Sequence, residues 1–255
     1  MSRRLRLRRA IPVHAGGPSG AGPVVLVLPA RNEAPRLAAV LARVPAEVAG
    51  RPVATIVVDD GSTDGTADVA LAGGAKVVAH ERNRGLGAAV RTGFRAALTL
   101  GPAAVAFCDA DGEYAPEELH RLVRPILAGE ADYVVGSRFR GDIRRMLVHR
   151  RFGNRVLTTA LAWIARRPIT DGQSGYRALS TWATGAAEII HDYNYAQVLT
   201  LDLLDKGARY TEVPITYAFR QSGRSFVRLG RYLRRVGPAV YRELNSEAPA
   251  RFSPR

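Results

Sequence analysis

The stretch that decides the fold is Ala103-Ala104-Val105-Ala106-Phe107-Cys108-Asp109-Ala110-Asp111-Gly112-Glu113. Its first six residues are uncharged and follow Gly101-Pro102, which predicts a short buried strand. Asp109 and Asp111 stand two apart, so on extended backbone both side chains point to one side. Carboxylates that close repel each other unless a cation lies between them. An all-oxygen set of this kind suits Mg²⁺ or Mn²⁺, with positions left for water and substrate phosphate. Gly112 lets the chain turn away, and Glu113 offers a third oxygen ligand. A lone D-x-D after a strand is equally an acidic surface turn, so its weight comes from its surroundings.

On the amino-terminal side, Val24-Val25-Leu26-Val27-Leu28 reads as a central parallel strand ended by Pro29-Ala30-Arg31-Asn32-Glu33. Residues 34–44 read as a helix with Leu37, Val40, Leu41 and Val44 inward. A strand over 54–58 runs into Asp59-Asp60-Gly61-Ser62-Thr63-Asp64, where Asp64 is the expected N-cap of a helix to about residue 73. A strand over 75–79, the loop Glu81-Arg82-Asn83-Arg84-Gly85-Leu86-Gly87 and a helix to 98 complete this side. On the other side come a helix over 116–127, a strand over 133–135 and the turn Gly136-Ser137-Arg138. Strand and helix alternate at short spacing, which predicts an α/β domain: a mostly parallel, Rossmann-like sheet with helices on both faces. Ligands collect at the carboxyl ends of such strands. The polar clusters at 31–33, 59–64, 109–113 and 136–138 each follow a predicted strand.

Residues 150–165 set Val156, Leu157, Ala160, Leu161, Trp163 and Ile164 between basic ends; Trp163 is expected in the core, with a lipid-interface position as the alternative. Asp171 to Arg177 is a polar loop entering a short strand, with Tyr176-Arg177 packing a sheet edge. Residues 196–204 read as helical and 210–219 as extended. The expected boundaries are a disordered basic tail (1–22), an α/β domain (23–220, in halves 23–138 and 139–220), a basic amphipathic helix (221–245) and a second disordered tail (246–255).

With 255 residues and 47% hydrophobic content, there is ample material for a core. The net charge of +14 implies polyanionic company: nucleic acid, an anionic membrane or phosphorylated substrates. The single cysteine, Cys108, excludes a disulfide framework and points to a reducing compartment. No apolar run approaches the roughly 20 residues of a membrane span. The five histidines share no ligand spacing and read as structural or surface residues.

The runs "VVLVLPARNEA", "IVVDDGSTDGT", "NRGLGAAVRTGF", "FCDADGEY", "VVGSRF", "DGQSGYRAL" and "EVPITYAFRQSGRS" together resemble a family-2 glycosyltransferase of the GT-A fold. Within that family the sequence is most similar to the dolichol-phosphate mannosyltransferase and polyprenyl-phosphate glycosyltransferase branch. The resemblance implies that Pro29, Ala30, Arg31, Glu33, Asp59, Asp60, Asn83, Gly87, Asp109, Ala110 and Asp111 border a nucleotide-sugar donor carrying GDP or UDP. It implies Asp109, Asp111 and Glu113 as ligands of Mg²⁺ or Mn²⁺, and Asp109, Asp111 and Arg138 as the catalytic set. Arg138, Arg151, Arg155, Arg220 and Ser225 would grip the phosphate of a polyprenyl phosphate acceptor. The implied reaction is an inverting displacement by an acceptor phosphate oxygen. A phosphate monoester is anionic near neutral pH and needs no general base. Gln197 stands in the helix before "EVPI", with Asp192 and Asp202 nearby, so a base stays open.

Glu113 stands where the branch often has Gln, and Phe226 where Lys is usual. Lacking an apolar span, the chain is expected to sit peripherally on an anionic membrane at its cytoplasmic face, through residues 144–167 and the final helix. A soluble acceptor such as a secondary metabolite is the alternative. A non-enzymatic basic module explains the charge but not the acidic clusters, which would repel nucleic acid; nucleic acid is therefore not an expected partner.

Overall fold

The computed structural model describes residues 21–146, 148–189 and 195–218. In chain order the elements are β1 (Val24–Ala30), α1 (Ala34–Leu41), β2 (Glu47–Val48), β3 (Arg51–Asp59), α2 (Thr66–Ala72), β4 (Lys76–Ala79), α3 (Leu86–Leu98) and β5 (Ala104–Phe107). A 3-10 turn then leads into α4 (Leu119–Leu127), β6 (Tyr133–Ser137), β7 (Ile143–Arg145), α5 (Val148–Ala165) and β8 (Arg177–Leu179). The last elements are α6 (Thr181–Ala186), α7 (Ala196–Asp205), β9 (Tyr210–Pro214) and β10 (Tyr217–Ala218).

Among these residues eight strands form one sheet in the order β2-β3-β1-β5-β8-β6-β9, with β4 also on β3. Contacts of β1 with β3 and β5, of β3 with β4, and of β6 with β9 are parallel. Strand β8 runs antiparallel between β5 and β6. The uninterrupted apolar β1 has every residue buried because helices cover both faces. Val24, Leu26 and Leu28 join the layer with Leu37, Leu122 and Val123. Val25 and Val27 turn the other way, towards Val90, Phe94, Leu199 and Leu203. This period of two, repeated in β5 by Ala104 and Ala106 against Val105 and Phe107, is the pleat sorting side chains between two cores.

The sequence expectations hold for the architecture and miss at several ends. Strand β1 continues two residues past Leu28, because the Ala30 carbonyl still accepts from Asp60 N at 2.9 Å. Helix α1 stops at Leu41 rather than 44, where Arg43 N and Val44 N donate three residues back and tighten the last turn. The N-cap of α2 is Gly65, at φ 81°, not Asp64. Asp64 instead accepts from Thr66 N and Ala34 N, both at 3.1 Å, tying two helix starts together. The slight burial of its carboxyl opposes the charge, but the bonds from Thr66 and Ala34 outweigh it and hold it below the usual carboxylate range. Strand β8 is interior rather than at a sheet edge, so Arg177 is fully buried. Trp163 is 79% exposed instead of packed in the core. No helix among the described residues is long and apolar enough to cross a membrane. The basic tail of 1–22, except residues 21 and 22, and the expected helix over 221–245 lie outside the described residues.

Helix α3 lies so close to β1 that a Cβ on Gly93 would stand 2.2 Å from Val27 Cγ1. Gly93→Ala gains about 1 kcal/mol of helix propensity. It also overpacks a β-branched core residue, at roughly 1–3 kcal/mol. Urea denaturation is expected to show a net loss of stability; a variant more stable than the parent would contradict the close α3–β1 approach.

Candidate active site

Parallel pairing brings the carboxyl ends of β1, β3 and β5 to one edge, with Ala30 beside Asp59 and Val27 beside Phe107. Because β8 runs the other way, its amino end and the loop 170–176 arrive at that same edge. Strand β6, also antiparallel to β8, ends there with Ser137, followed by Arg138. One antiparallel strand therefore delivers a polar loop to the carboxyl ends of its neighbours.

Asp109, two residues beyond β5, meets that loop closely: a Cβ on Gly175 would lie 2.2 Å from Asp109 Oδ2. Only glycine fits. Gly175 N donates to the Tyr114 hydroxyl at 2.7 Å, which fixes the approach. Burial pushes the Asp109 carboxyl up to about 8, with the charges of Asp111 and Glu113 adding to the rise while Arg138 and Arg177 oppose it. Burial also raises the Tyr114 hydroxyl well above its ordinary value. Two aspartates crowded enough to disfavour each other's charge fit a divalent cation. Mg²⁺ in particular is commonly held by one or two carboxylates, with water and substrate phosphate completing its shell.

Glu113, expected as a third ligand, is engaged by β10. Gly112, at φ 78°, turns the chain so that the Glu113 carboxylate accepts from the Tyr217 hydroxyl at 2.7 Å. Its carbonyl accepts from Ala218 N at 3.0 Å. Among the described residues no three His, Cys, Asp or Glu side chains converge in a metal-holding group. Through these bonds Glu113 ties the turn that carries the two aspartates to β10.

On the side of β1 and β3, backbone loops are laced together. Asn32, at φ 54°, donates from its N to Ser62 Oγ at 2.9 Å and accepts from Thr63 N at 2.9 Å. Glu33 N donates to Thr66 Oγ1 at 3.0 Å, and Arg31 is exposed. Asp59 Oδ1 accepts from Ser62 N at 2.9 Å. Asp60 is 5% exposed and accepts from Arg84 N and Gly85 N, each at 2.8 Å. It also pairs with His80 Nδ1 at 2.7 Å, while His80 Nε2 meets Thr92 Oγ1 at 2.9 Å. Asn83 Oδ1 accepts from Gly85 N at 2.9 Å, and Gly87 is buried in the first turn of α3. These carboxylates build the loops of this wall, and His80 is structural, as expected.

The opposite wall centres on Arg138. It is 5% exposed, so it is neither a solvated turn residue nor an open cation. Its Nε and Nη2 reach Asp171 Oδ2 and Oδ1 at 2.7 and 2.8 Å, a bidentate pair, and its backbone N donates to Oδ2 at 3.0 Å. Burial opposes the Arg138 charge, but Tyr114 and Asp171 outweigh it and raise its proton affinity. The guanidinium carbon lies 5.1 Å from the Tyr217 ring centre. Glu212 anchors the loop by accepting from Thr170 N at 2.8 Å, Asp171 N at 3.2 Å and the Tyr210 hydroxyl at 2.7 Å. Arg155 and Arg138 flank the Phe139 ring at 5.9 and 6.0 Å, and Arg151 is exposed on α5. Arg220, Ser225, Phe226 and Asp192 lie outside the described residues. Asp202, the other candidate base, accepts from Glu188 N at 2.9 Å and pairs with Lys206 at 2.6 Å, so it is a structural carboxylate. Residue-by-residue reading of the sequence missed Asp171, Gly175, Tyr114 and Tyr217; their only signal was membership of the "DGQSGYRAL", "FCDADGEY" and "EVPITYAF" runs.

A mostly parallel sheet with an acidic pair beyond a central strand is the architecture of the GT-A glycosyltransferases. Glucosyl-3-phosphoglycerate synthase from Mycobacterium tuberculosis, solved with Mn²⁺, UDP and glucosyl-3-phosphoglycerate, shares this fold at a TM-score of 0.69 and 24% identity. The match covers 90% of this chain and 82% of that one. The chain belongs to glycosyl transferase family 2, whose model matches residues 25–181, and it is a glycosyltransferase. It is 34% identical to polyprenol monophosphomannose synthase of Mycolicibacterium smegmatis, over 78% of each chain. It is 32% identical to undecaprenyl-phosphate mannosyltransferase of Micrococcus luteus, over 79% of this chain and 86% of that one.

The Arg138–Asp171 pair is buried, at 6% and 0% side-chain exposure, whereas Arg144–Asp142 is open at 70% and 66%. Asp171→Ala is expected to cost about 3–5 kcal/mol by leaving a buried cation unpaired. Asp142→Ala is expected to cost about 0.5 kcal/mol or less. Chemical denaturation of both variants checks the contrast; equal losses would contradict it.

Proposed function

We propose that the chain transfers a hexosyl group from a nucleoside-diphosphate sugar to a polyprenyl phosphate. The observation that carries this reading is the similarity to two polyprenyl-phosphate mannosyl enzymes over 78% and 79% of the chain. Family membership answers the non-enzymatic alternative.

In this reading Asp109 and Asp111 hold the divalent ion, which when bound supplies positive charge to the departing diphosphate. The loops 31–34 and 59–66, with 83–87, wall the donor, and Asp60 keeps the last of these against β3. The acceptor's phosphate oxygen attacks the anomeric carbon; that bond forms as the bond to the nucleoside diphosphate breaks, and configuration inverts. The nucleophile is already ionised, since the second pKa of a phosphate monoester is about 6. The acceptor side matches this need: Asp171 and Asp202 are both engaged by cations, and Arg155 brings positive charge to the Phe139 side of the edge. Gly175, by admitting the loop against Asp109, sets the distance between the two halves.

A second reading has a specific source: the structural neighbour was crystallised with a soluble phosphorylated product, glucosyl-3-phosphoglycerate. Both acceptors present a phosphate. GDP- and UDP-sugars with Mn²⁺, offered detergent-solubilised undecaprenyl phosphate or 3-phosphoglycerate, separate the two. Sugar transfer to the lipid phosphate is expected, and turnover confined to the soluble acceptor would overturn the lipid reading. Asp111→Asn should lower kcat/KM by at least about a hundredfold with an unchanged thermal transition. Undiminished turnover would remove the aspartate pair from the mechanism.

A further inference from the structure

Helix α5 packs by one face onto the loop that builds the site. Leu161 is 2% exposed and clusters with Ile169 and Leu201, and Thr158 Oγ1 accepts from Gly172 N at 3.1 Å. A Cβ on Gly172 would lie 2.6 Å from Leu161 Cδ2, so helix and loop are in close contact. At about 100° per residue, Phe152, Val156 and Trp163 fall within roughly 60° of one another on the opposite face. They are 71%, 51% and 79% exposed, three of the five large apolar side chains exposed among the described residues. Scattered apolar exposure needs no explanation, whereas three on one stripe of one helix do.

The flanks decide what such a face fits. Arg151, Arg155, Arg166 and Arg167 are all exposed beside it. Between Asp142 and Asp171 the sequence has no Asp or Glu. A second copy of this chain would bring the same positive charge against it. An anionic lipid bilayer offers both an apolar layer and negative headgroups, the combination that holds a basic amphipathic helix in the interface plane. Exposed Trp and Phe between basic ends are placed as membrane-interface side chains are.

We infer that α5 is the membrane-docking face: Phe152, Val156 and Trp163 enter the headgroup boundary of an anionic bilayer while the flanking arginines contact its phosphates. The inference rests on the lipid-acceptor reading and deepens it. The same helix carries Arg155 beside Phe139 and Arg138, so docking brings these arginines near the depth at which a lipid phosphate is presented.

The test is sedimentation of the full chain with vesicles of phosphatidylcholine containing phosphatidylglycerol, and with phosphatidylcholine alone. The chain is expected to bind the anionic vesicles. Phe152→Ser/Val156→Ser/Trp163→Ser should weaken that partitioning on the order of tenfold or more. The chain has two tryptophans, and the other, Trp182, is partly buried, so a blue shift of emission on binding should vanish in Trp163→Phe while partitioning persists. Unchanged partitioning of the triple variant, or no blue shift in the parent, would overturn the inference. Shielding of Trp163 from iodide in the free chain would also overturn it, by showing that the face is covered without a bilayer. Transfer to a water-soluble short-chain isoprenyl phosphate should be unaltered in the triple variant. Loss of vesicle binding with that transfer intact is a docking result, whereas absence of transfer in the parent counts against the glycosyl reading alone.

Discussion

The structure depends on a repulsion that is held in place. Asp109 sits against Gly175 with a second and a third acidic side chain close by, and its proton affinity rises accordingly. Left to itself such a cluster would turn its carboxylates outward. Here the turn of Gly112, the Glu113–Tyr217 bond and the Tyr114–Gly175 bond keep it folded back. Opposition between burial and charge at this edge is what the proposed cation and phosphate site would rest on.

Positive charge around the cluster is arranged so as not to quench it. Arg138 is paired to Asp171, and Arg177 spends its guanidinium on Ser174 O, Ala196 O, Thr200 Oγ1, Gly172 O and the Tyr133 hydroxyl. Both lower the proton affinity of Asp109 through space. A direct salt bridge to either would have closed the site with protein. Breaking a buried pair costs several kcal/mol while an exposed one contributes little, so the rigidity of this edge resides in Arg138–Asp171 and the bonds to Glu212.

The parallel sheet was legible because β1 and β5 are continuous apolar runs and β3 ends in one, Ile56-Val57-Val58, each leading into a polar cluster. The local consequence of such a pattern is a strand and then a polar turn at its carboxyl end, and both are observed. The insertion of β8 between β5 and β6 was not legible, since a three-residue strand pairs with partners 42 to 74 residues away and carries no periodicity of its own. The roles of Asp171 and Gly175 depend on that insertion. The bond from Tyr217 to Glu113 was not legible, because it depends on the direction the chain takes after a glycine at positive φ. Trp163 was placed in the core ahead of an interfacial position because hydrophobicity alone does not say which side chains are covered.

The most direct measurement is anomalous diffraction from crystals soaked with manganese and a nucleoside diphosphate. The account predicts one manganese peak at roughly 2.1 Å from carboxylate oxygens of both Asp109 and Asp111, bridged to the diphosphate. A nucleotide bound elsewhere, or bound at this edge with the ion away from both aspartates, would contradict it.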